Sequence, residues 1–517
     1  MASRQPNILI LMVDQLTPGV LKAYGGKVAR TPNIDRLAER AVVFDSAYCN
    51  SPLCAPSRFS FMSGQLPSTI GAYDNAADFA ADTPTFAHYL RHAGYRTILS
   101  GKMHFCGPDQ LHGFEERLTT DIYPADFGWT ADWTRPDERL DFYHTMDSVS
   151  QAGPCARSNQ IDFDEEVLFA ARRKLFDIAR DRDQRPFCMV VSMTHPHDPY
   201  TIPEPWWSRH SDEEIDMPRV SGDEIPLDPH SRRLRTVIGL EQQSVTQEQV
   251  RAARRAYYGA CAYVDDQIGA MLAALDDCRM AEDTVVMLLG DHGDMLGERG
   301  LWYKMNFFEP ACRIPLMIAA PQRFAPARVA ASVSLLDILP TLAELAHHGA
   351  APAYAAPIHG QSLMPHLTGR GGHDGVVGEY LGEGAISPIV MLRRGTLKFI
   401  HCSIDPDQLY DLSADPDERI NLAADPAHAS TVAAFHAEIA QRWNLEEVNE
   451  AVLASQTRRR LVDAALRQGK QTHWDHQPLV EASQSYMRNH IKLDDLEAMA
   501  RFPPVSAPND ESTRDDA

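Results

Sequence analysis

An α/β architecture is what the patterning of this chain predicts: a large, mixed, mostly parallel sheet flanked by helices, with a smaller C-terminal α+β unit and an extended tail. Three observations carry the prediction. Residues 8–13, Ile-Leu-Ile-Leu-Met-Val, form an unbroken apolar run that stops at Asp14, the pattern of a strand buried on both faces. Two further strand-like runs, 185–193 and 284–289, follow long helical segments near 162–181 and 247–276. After about residue 375 the texture changes to short strands at 389–393, 397–401 and 408–412, then helical material from about 427 to 468.

Taken in order, the apolar run ending at Asp14 is the first strand. Residues 33–40 and 85–93 have helical spacing, and Gly94 supplies a stop signal to the second of these. The strand at 95–100 delivers Gly101-Lys102-Met103-His104 at its end. The strand at 185–193 delivers Thr194-His195-Pro196-His197-Asp198-Pro199, and that at 284–289 delivers Gly290-Asp291-His292-Gly293-Asp294. Four strands therefore carry polar clusters at their carboxyl ends, where open α/β sheets collect ligands. One composite active site is the expectation. The expected division is a catalytic α/β domain over 1–375, a smaller α+β domain over 376–470 and a tail over 471–517. The charged end Asn509–Ala517 is expected to be disordered.

With 44% hydrophobic and 23% charged residues, the chain has the composition of a globular protein. Its formal charge of −22 argues against nucleic-acid or anionic-membrane surfaces, which need basic patches. The opening apolar run is too short to span a bilayer, and no small-residue cleavage site follows it, so a cytoplasmic location is expected. The nine cysteines show no Cys-x-x-Cys spacing, which excludes zinc ribbons and disulfide scaffolds and leaves most as reduced core residues.

Cys54 is the exception, because it opens Cys54-Ala55-Pro56-Ser57-Arg58. Taken alone it reads as a buried, inert thiol. Its companions change that reading. Asp14, Asp291 and His292 end separate strands and can converge on one ion; paired carboxylates favour a hard cation, while the histidine admits Mn²⁺ or similar. Arg58 lies about one helical turn from Cys54. Lys102 and His104 share one face if their segment is extended. With His197 and Lys304, these groups would place several cations around one anion, an arrangement suited to anion turnover.

The Cys54 run resembles the maturation signal of the type I, formylglycine-dependent sulfatases. Thr31-Pro32-Asn33-Ile34-Asp35, Gly101-Lys102-Met103-His104, Pro196-His197-Asp198-Pro199, Asp291-His292-Gly293-Asp294, Gly297-Glu298, Lys304 and Leu409-Tyr410-Asp411-Leu412 resemble further landmarks of that family, in family order. The resemblance implies the alkaline-phosphatase-superfamily sandwich fold and a Cys54 converted to formylglycine by a formylglycine-generating enzyme. It implies a divalent metal held by Asp14, Cys54, Asp291 and His292, Ca²⁺ ahead of Mg²⁺ or Mn²⁺. It also implies catalytic roles for Arg58, Lys102, His104, His197 and Lys304, with His104 assisting aldehyde regeneration. A hydrated aldehyde suits the chemistry because its second hydroxyl lets the sulfated residue collapse and expel sulfate. One departure is Asp14-Gln15, where many sulfatases have two acids; it moves the site toward the branch with choline sulfatases and phosphonate monoester hydrolases.

The stretch from Trp443-Asn444, through Arg458-Arg459-Arg460, Trp474 and Tyr486–His490 to Ala500-Arg501-Phe502-Pro503-Pro504, resembles the C-terminal extension of choline sulfatases, as do Asp141–His144 and Gln151-Ala152-Gly153. That resemblance implies choline-O-sulfate as substrate. A quaternary ammonium donates no N–H hydrogen bond, so its recognition calls for aromatic faces and carboxylates. Residues 120–150 supply Trp129, Trp133, Phe142, Tyr143 and His144 among Asp126, Asp132 and Asp147. Asn75, Trp129, His144, Asp494 and Asp495 are the candidate substrate-binding residues. A tail without its own core suggests exchange between subunits of a homo-oligomer, a dimer or tetramer. Arylsulfatase or phosphonate or phosphate ester hydrolysis is the alternative activity, and a non-catalytic metal-binding scaffold the alternative class.

Overall fold

The computed structural model describes residues 5–503 apart from 137, 472 and 487–490. The expectation of disorder over Asn509–Ala517, and the matched positions 487–490 and Pro504, lie outside the described residues.

The main sheet runs in the order Ala327–Ser334, Val42–Tyr48, Leu316–Ala319, Thr284–Gly290, Asn7–Val13, Phe187–Met193, Arg96–Gly101 and Glu116–Arg117, with Arg313–Ile314 pairing beside Val42–Tyr48. Leu316–Ala319 is antiparallel to both neighbours, so the sheet is mixed, while the central four strands are parallel. Residues Ile8–Val13 are fully buried, as an apolar strand between two layers of helices must be. Register then places the site. Val13 pairs with Met193 on one side and Gly290 on the other, and Ser192 pairs with Gly101. Asp14, Thr194, Asp291 and Lys102 therefore leave the sheet at one edge.

The flanking helices form where the sequence places them. Asn159–Arg180 begins at Ser158, whose side chain accepts from the Ile161 N–H, and buries Ile161, Val167, Leu168, Ala171, Leu175 and Ile178. Gln247–Asp277 begins with a Thr246–Gln249 capping box. The helix Cys54–Ser63 differs from both, since all ten of its residues are buried, and Gly64 at φ +65° ends it. It threads the interior and leaves Cys54 in its first turn, at the sheet edge where the strands end.

A second, antiparallel sheet runs Gly375–Tyr380, Ile389–Arg394, Leu397–Cys402 and Asp405–Asp411 in sequence order. Its first strand is missed by sequence patterning because Gly375 and Gly378 dilute the β signal. Helix Ala429–Arg442 covers this sheet through Phe435 and Ile439, with Trp443 just beyond its end, against Val390, Leu392, Phe399 and Leu409. Helix Leu445–Leu466 then returns toward the main sheet and inserts buried Gln456 and Arg459. All nine cysteines are free, and eight of them are buried. Among the described residues no helix is long and apolar enough to cross a membrane.

Candidate active site

The groups at the sheet edge close around Cys54. The ligand atoms of Asp14, Cys54, Asp291 and His292 all lie within 4.8 Å of one another, and all four residues are buried. Two oxygens on opposite sides of a calcium ion stand about 4.8 Å apart, from bond lengths near 2.4 Å. Asp14 Oδ1 has no hydrogen-bond partner, an orphaned buried carboxylate oxygen directed at this cluster. The donor set thus fits a divalent cation. Gln15 does not add a free oxygen to it: its Oε1 accepts from Lys304 Nζ at 2.7 Å and its Nε2 donates to Asp294 Oδ2 at 2.7 Å.

Arg58, fully buried one turn after Cys54, is the scaffold of the cluster. Its Nε donates to Asp291 Oδ2 at 2.9 Å, its Nη1 to Lys102 O at 2.5 Å and Ser192 Oγ at 2.8 Å, and its Nη2 lies 3.5 Å from Asp14 Oδ2. Lys102 Nζ is paired with Asp14 Oδ2 and lies 3.5 Å from Cys54 Sγ, while His292 Nε2 lies 3.2 Å from the same sulfur. Burial would raise the Cys54 thiol, yet Lys102, Lys304 and His292 together hold it well below the usual thiol range. Burial likewise opposes ionisation of Asp14, but Lys102 in particular lowers it to about 2. The surroundings of the sulfur therefore stabilise negative charge at residue 54.

Lys304 and His197 form the opposite wall. Lys304 Nζ donates to His197 Nε2 at 2.8 Å, and His197 Nδ1–H donates to Asp198 O at 2.6 Å, which defines a neutral His197 tautomer. His104 faces Cys54 but neither ring nitrogen has a hydrogen-bond partner, and burial lowers its basicity. Its backbone N–H and that of Met103 both donate to Asp121 Oδ2 at 2.9 Å.

A cavity of about 220 Å³ opens from this cluster, lined by Cys54, His197, Lys304, Trp129, Tyr123 and Glu383. The Trp129 and Tyr123 rings lie 4.9 Å apart, and Phe142 stacks parallel to Trp129 at 6.5 Å.

The sulfatase family model matches residues 6–348, about two thirds of the chain. The chain belongs to the sulfatase family. It is a hydrolase of sulfate esters. Residues 450–502 match the model described as choline sulfatase enzyme C terminal, and residues 297–444 that of the N-sulphoglucosamine sulphohydrolase C-terminal region. A choline-sulfatase of Rhizobium meliloti (strain 1021) is 48% identical over 514 residues, covering 97% of this chain and 99% of that one. Iduronate 2-sulfatase of Mus musculus is 28% identical over 70% of this chain and 73% of its own. The solved phosphonate monoester hydrolase of Agrobacterium radiobacter shares the fold, with a TM-score of 0.68, 24% identity and coverage of 84% and 95%. The alkaline-phosphatase-like fold expected from the sequence is the one present.

In this sulfatase Cys54, Arg58, Lys102, His104, His197, Lys304, Asp14, Asp291 and His292 come together as the sequence suggested. The reason for Lys102 and His104 is different, however. Their segment is not a regular extended strand: Gly101 has φ +102° and His104 φ +57°, and a Cβ at Gly101 would meet Ser192 O at 2.0 Å. The glycine kink, rather than strand alternation, turns both side chains inward. Asn75 lines the cavity, with its Oδ1 accepting from Ala55 N at 3.0 Å. His144 lines it too, with Nδ1 3.2 Å from Asp198 Oδ2 and its ring stacked on Tyr303.

Asp494 and Asp495 are not brought to the cavity within one chain. They lie on helix Leu493–Ala500, and Ala500 O accepts from Arg180 Nη1 at 2.6 Å, at the far end of helix Asn159–Arg180. The opposite end of that helix, at Gln160, is the one that reaches His197 O and Asp198 O. The loop acids are also elsewhere: Asp132 pairs with Arg135 and Arg460, and Asp147 is exposed. The cavity acids are Asp198 and Glu383. Asp198 was visible in His-Pro-His-Asp-Pro directly after a strand, whereas Glu383, between two glycines, carries no local signal.

Proposed function

We propose that this sulfatase hydrolyses choline-O-sulfate, through a formylglycine formed from Cys54 and with a divalent metal at Asp14, residue 54, Asp291 and His292. The observation that carries the reading is the cavity beside Cys54, lined by Trp129 and Phe142 together with the Glu383 carboxyl, while the Tyr123 ring beside Trp129 has Lys102 Nζ 4.4 Å over its centroid. Such a wall suits a quaternary ammonium, which takes cation–π contacts and a nearby negative charge rather than hydrogen bonds. The 48% identity to the Rhizobium choline-sulfatase and the C-terminal match over 450–502 support the same substrate. The metal, Ca²⁺ ahead of Mg²⁺ or Mn²⁺, and the hydrated aldehyde would supply charge neutralisation and a nucleophilic hydroxyl with a second hydroxyl for sulfate release.

The chain's own residues do the remaining work. Lys102 and Lys304, flanking residue 54, bind the sulfate oxygens and offset charge that builds there. Arg58 fixes Asp14 and Asp291 relative to helix Cys54–Ser63. His197, whose Nδ1 is fixed on Asp198 O, holds Lys304 Nζ through Nε2 and so aims that ammonium at the sulfate and the departing alcohol oxygen. His104, with both ring nitrogens unpartnered, is placed to take a proton from residue 54 during sulfate release. A cytoplasmic homo-oligomer, dimer or tetramer, belongs to the same reading. The tail exposes Leu479 (94%) and Val480 (75%), apolar surface that a second copy would cover.

The test is co-production with a formylglycine-generating enzyme, mass spectrometry of the peptide containing Cys54, and specificity constants for choline-O-sulfate and 4-nitrophenyl sulfate. Aldehyde at residue 54 with preference for the choline ester is expected. Equal turnover of both esters by the matured enzyme would leave the substrate assignment without its basis.

A further inference from the structure

Far from Cys54 in sequence and sharing no residue with its site, three side chains of the C-terminal unit converge. His401 belongs to strand Leu397–Cys402, Asp407 to strand Asp405–Asp411 and His436 to helix Ala429–Arg442. Asp407 sits between the two imidazoles: its Oδ1 lies 2.7 Å from His401 Nδ1 and its Oδ2 2.7 Å from His436 Nε2. The rings meet edge to face with centroids 4.9 Å apart. One nitrogen from each ring and a carboxylate oxygen all lie within 4.8 Å of one another.

We propose that His401, Asp407 and His436 form a second metal site, one for a late first-row dication of the Zn²⁺ class, which clips helix Ala429–Arg442 to the C-terminal sheet. The donor set decides the class. Two imidazole nitrogens and one carboxylate oxygen suit zinc, whereas calcium and magnesium favour oxygen-rich shells. Tetrahedral zinc with bonds of 2.0–2.1 Å holds its ligands about 3.3 Å apart. Both imidazole–carboxylate pairs are already closer than that, and the remaining separation closes by side-chain rotation. Rotation is open to these groups because His401, Asp407 and His436 are 17%, 23% and 41% exposed. Water from the same exposed side completes the shell. On the inner side Phe399, edge-on to His436 and stacked on Phe435, forms an apolar wall behind the donors. Coordination replaces the two hydrogen bonds to Asp407: each ring proton moves from the nitrogen facing Asp407 to the other nitrogen, and the Asp407 carboxylate offsets one of the ion's two charges, the solvent-exposed side bearing the other. The net charge of −22 raises the local concentration of cations around the whole molecule.

The experiment uses the full-length enzyme exposed to excess Zn²⁺, desalted, and assayed for bound metal and for thermal unfolding, with Co²⁺ as a spectroscopic substitute. Wild type should retain one equivalent more than Asp407→Asn or the double variant His401→Ala/His436→Ala, and zinc should raise its unfolding midpoint while leaving theirs unchanged. Sulfate-ester turnover should be the same in all three. Co²⁺ should give tetrahedral visible bands in wild type beyond whatever the active-site cluster gives in the variants. His436→Gln, a half-exposed change that keeps a polar amide on the helix, guards against loss of folding and should also lose the extra equivalent. Equal metal content in wild type and these variants overturns the site.

Discussion

Arg459 holds Asp74 with both terminal nitrogens, Nη1 at 2.6 Å from Oδ1 and Nη2 at 2.8 Å from Oδ2, and both side chains are buried. The same Nη1 donates to Thr130 Oγ1 at 3.1 Å. Asp74 precedes Asn75, and Thr130 follows Trp129. One turn earlier on the helix, Gln456 Oε1 accepts from Trp133 N at 3.0 Å, and Trp133 Nε1 donates to Gly382 O at 2.9 Å, next to Glu383. Helix Leu445–Leu466 therefore ties together the three loops that line the aromatic end of the cavity.

Arg459→Ala should destabilise the fold by about 3 kcal/mol, because it strands a buried Asp74 carboxylate. It should also loosen Asn75 and Trp129, raising KM for choline-O-sulfate more than for 4-nitrophenyl sulfate. Thermal unfolding and paired specificity constants measure both effects. Arg459→Lys, which keeps the charge but loses the two-pronged grip, should recover part of the stability. Equal losses on the two esters would confine the pair to a folding role.

The span of that contact shows what was hidden in the sequence. The partners are 385 residues apart, and neither stands in a local pattern that names the other. Glu383 and Tyr123 were illegible for the same reason: each is an ordinary residue in a loop until the fold brings it to the cavity. The strand ends behaved differently. A buried parallel strand must be apolar, so Asp14, Lys102 and Asp291 stand out as polar residues just past such runs, and equal register makes them neighbours. Cys54 and Arg58 were legible as helical neighbours. That helix is buried on every side, so amphipathic periodicity gave no hint of its burial.

Asp14→Asn and Asp291→Asn should each lower metal occupancy as well as turnover. Loss of a residue that merely supports a ligand already weakens metal sites by about 10- to 100-fold, so loss of a direct ligand should cost at least as much. Elemental analysis after dialysis against a chelator checks this. Full metal retention in both variants would move the ion elsewhere.

Trp129→Ala should cost on the order of 1 to 2 kcal/mol in transition-state binding of the cationic ester, about tenfold in kcat/KM. Its ring contacts Tyr123 and stands beside His104 at 5.6 Å, so Trp129→Phe is the control that keeps an aromatic face. The alanine variant should spare 4-nitrophenyl sulfate by comparison. A loss of the same size on both esters would mean that Trp129 serves by positioning His104.

Under the proposed choline-O-sulfate activity, Glu383 would make ammonium recognition a function of pH. Burial, with Asp74 adding to it, pushes its carboxyl up to about 7. A carboxyl raised in the folded state favours folding at low pH and loses that contribution as pH rises through the folded value. In the unliganded enzyme the loss between pH 5 and 8.5 should approach about 3 kcal/mol, and Glu383→Gln should abolish it. A bound quaternary ammonium reverses the preference, because it is attracted only to the ionised carboxylate. Inhibition by choline should therefore strengthen from pH 6 to pH 8, approaching tenfold per pH unit below the midpoint. The choline titration probes the cation end of the cavity apart from any chemistry at residue 54. In Glu383→Gln the pH dependence should flatten, with affinity fixed near the low-pH value of wild type. An unchanged slope in that variant would assign the titration to a group other than Glu383; it would not be Asp198, which in spite of its burial His144 and His197 hold ionised well below the usual carboxylate range.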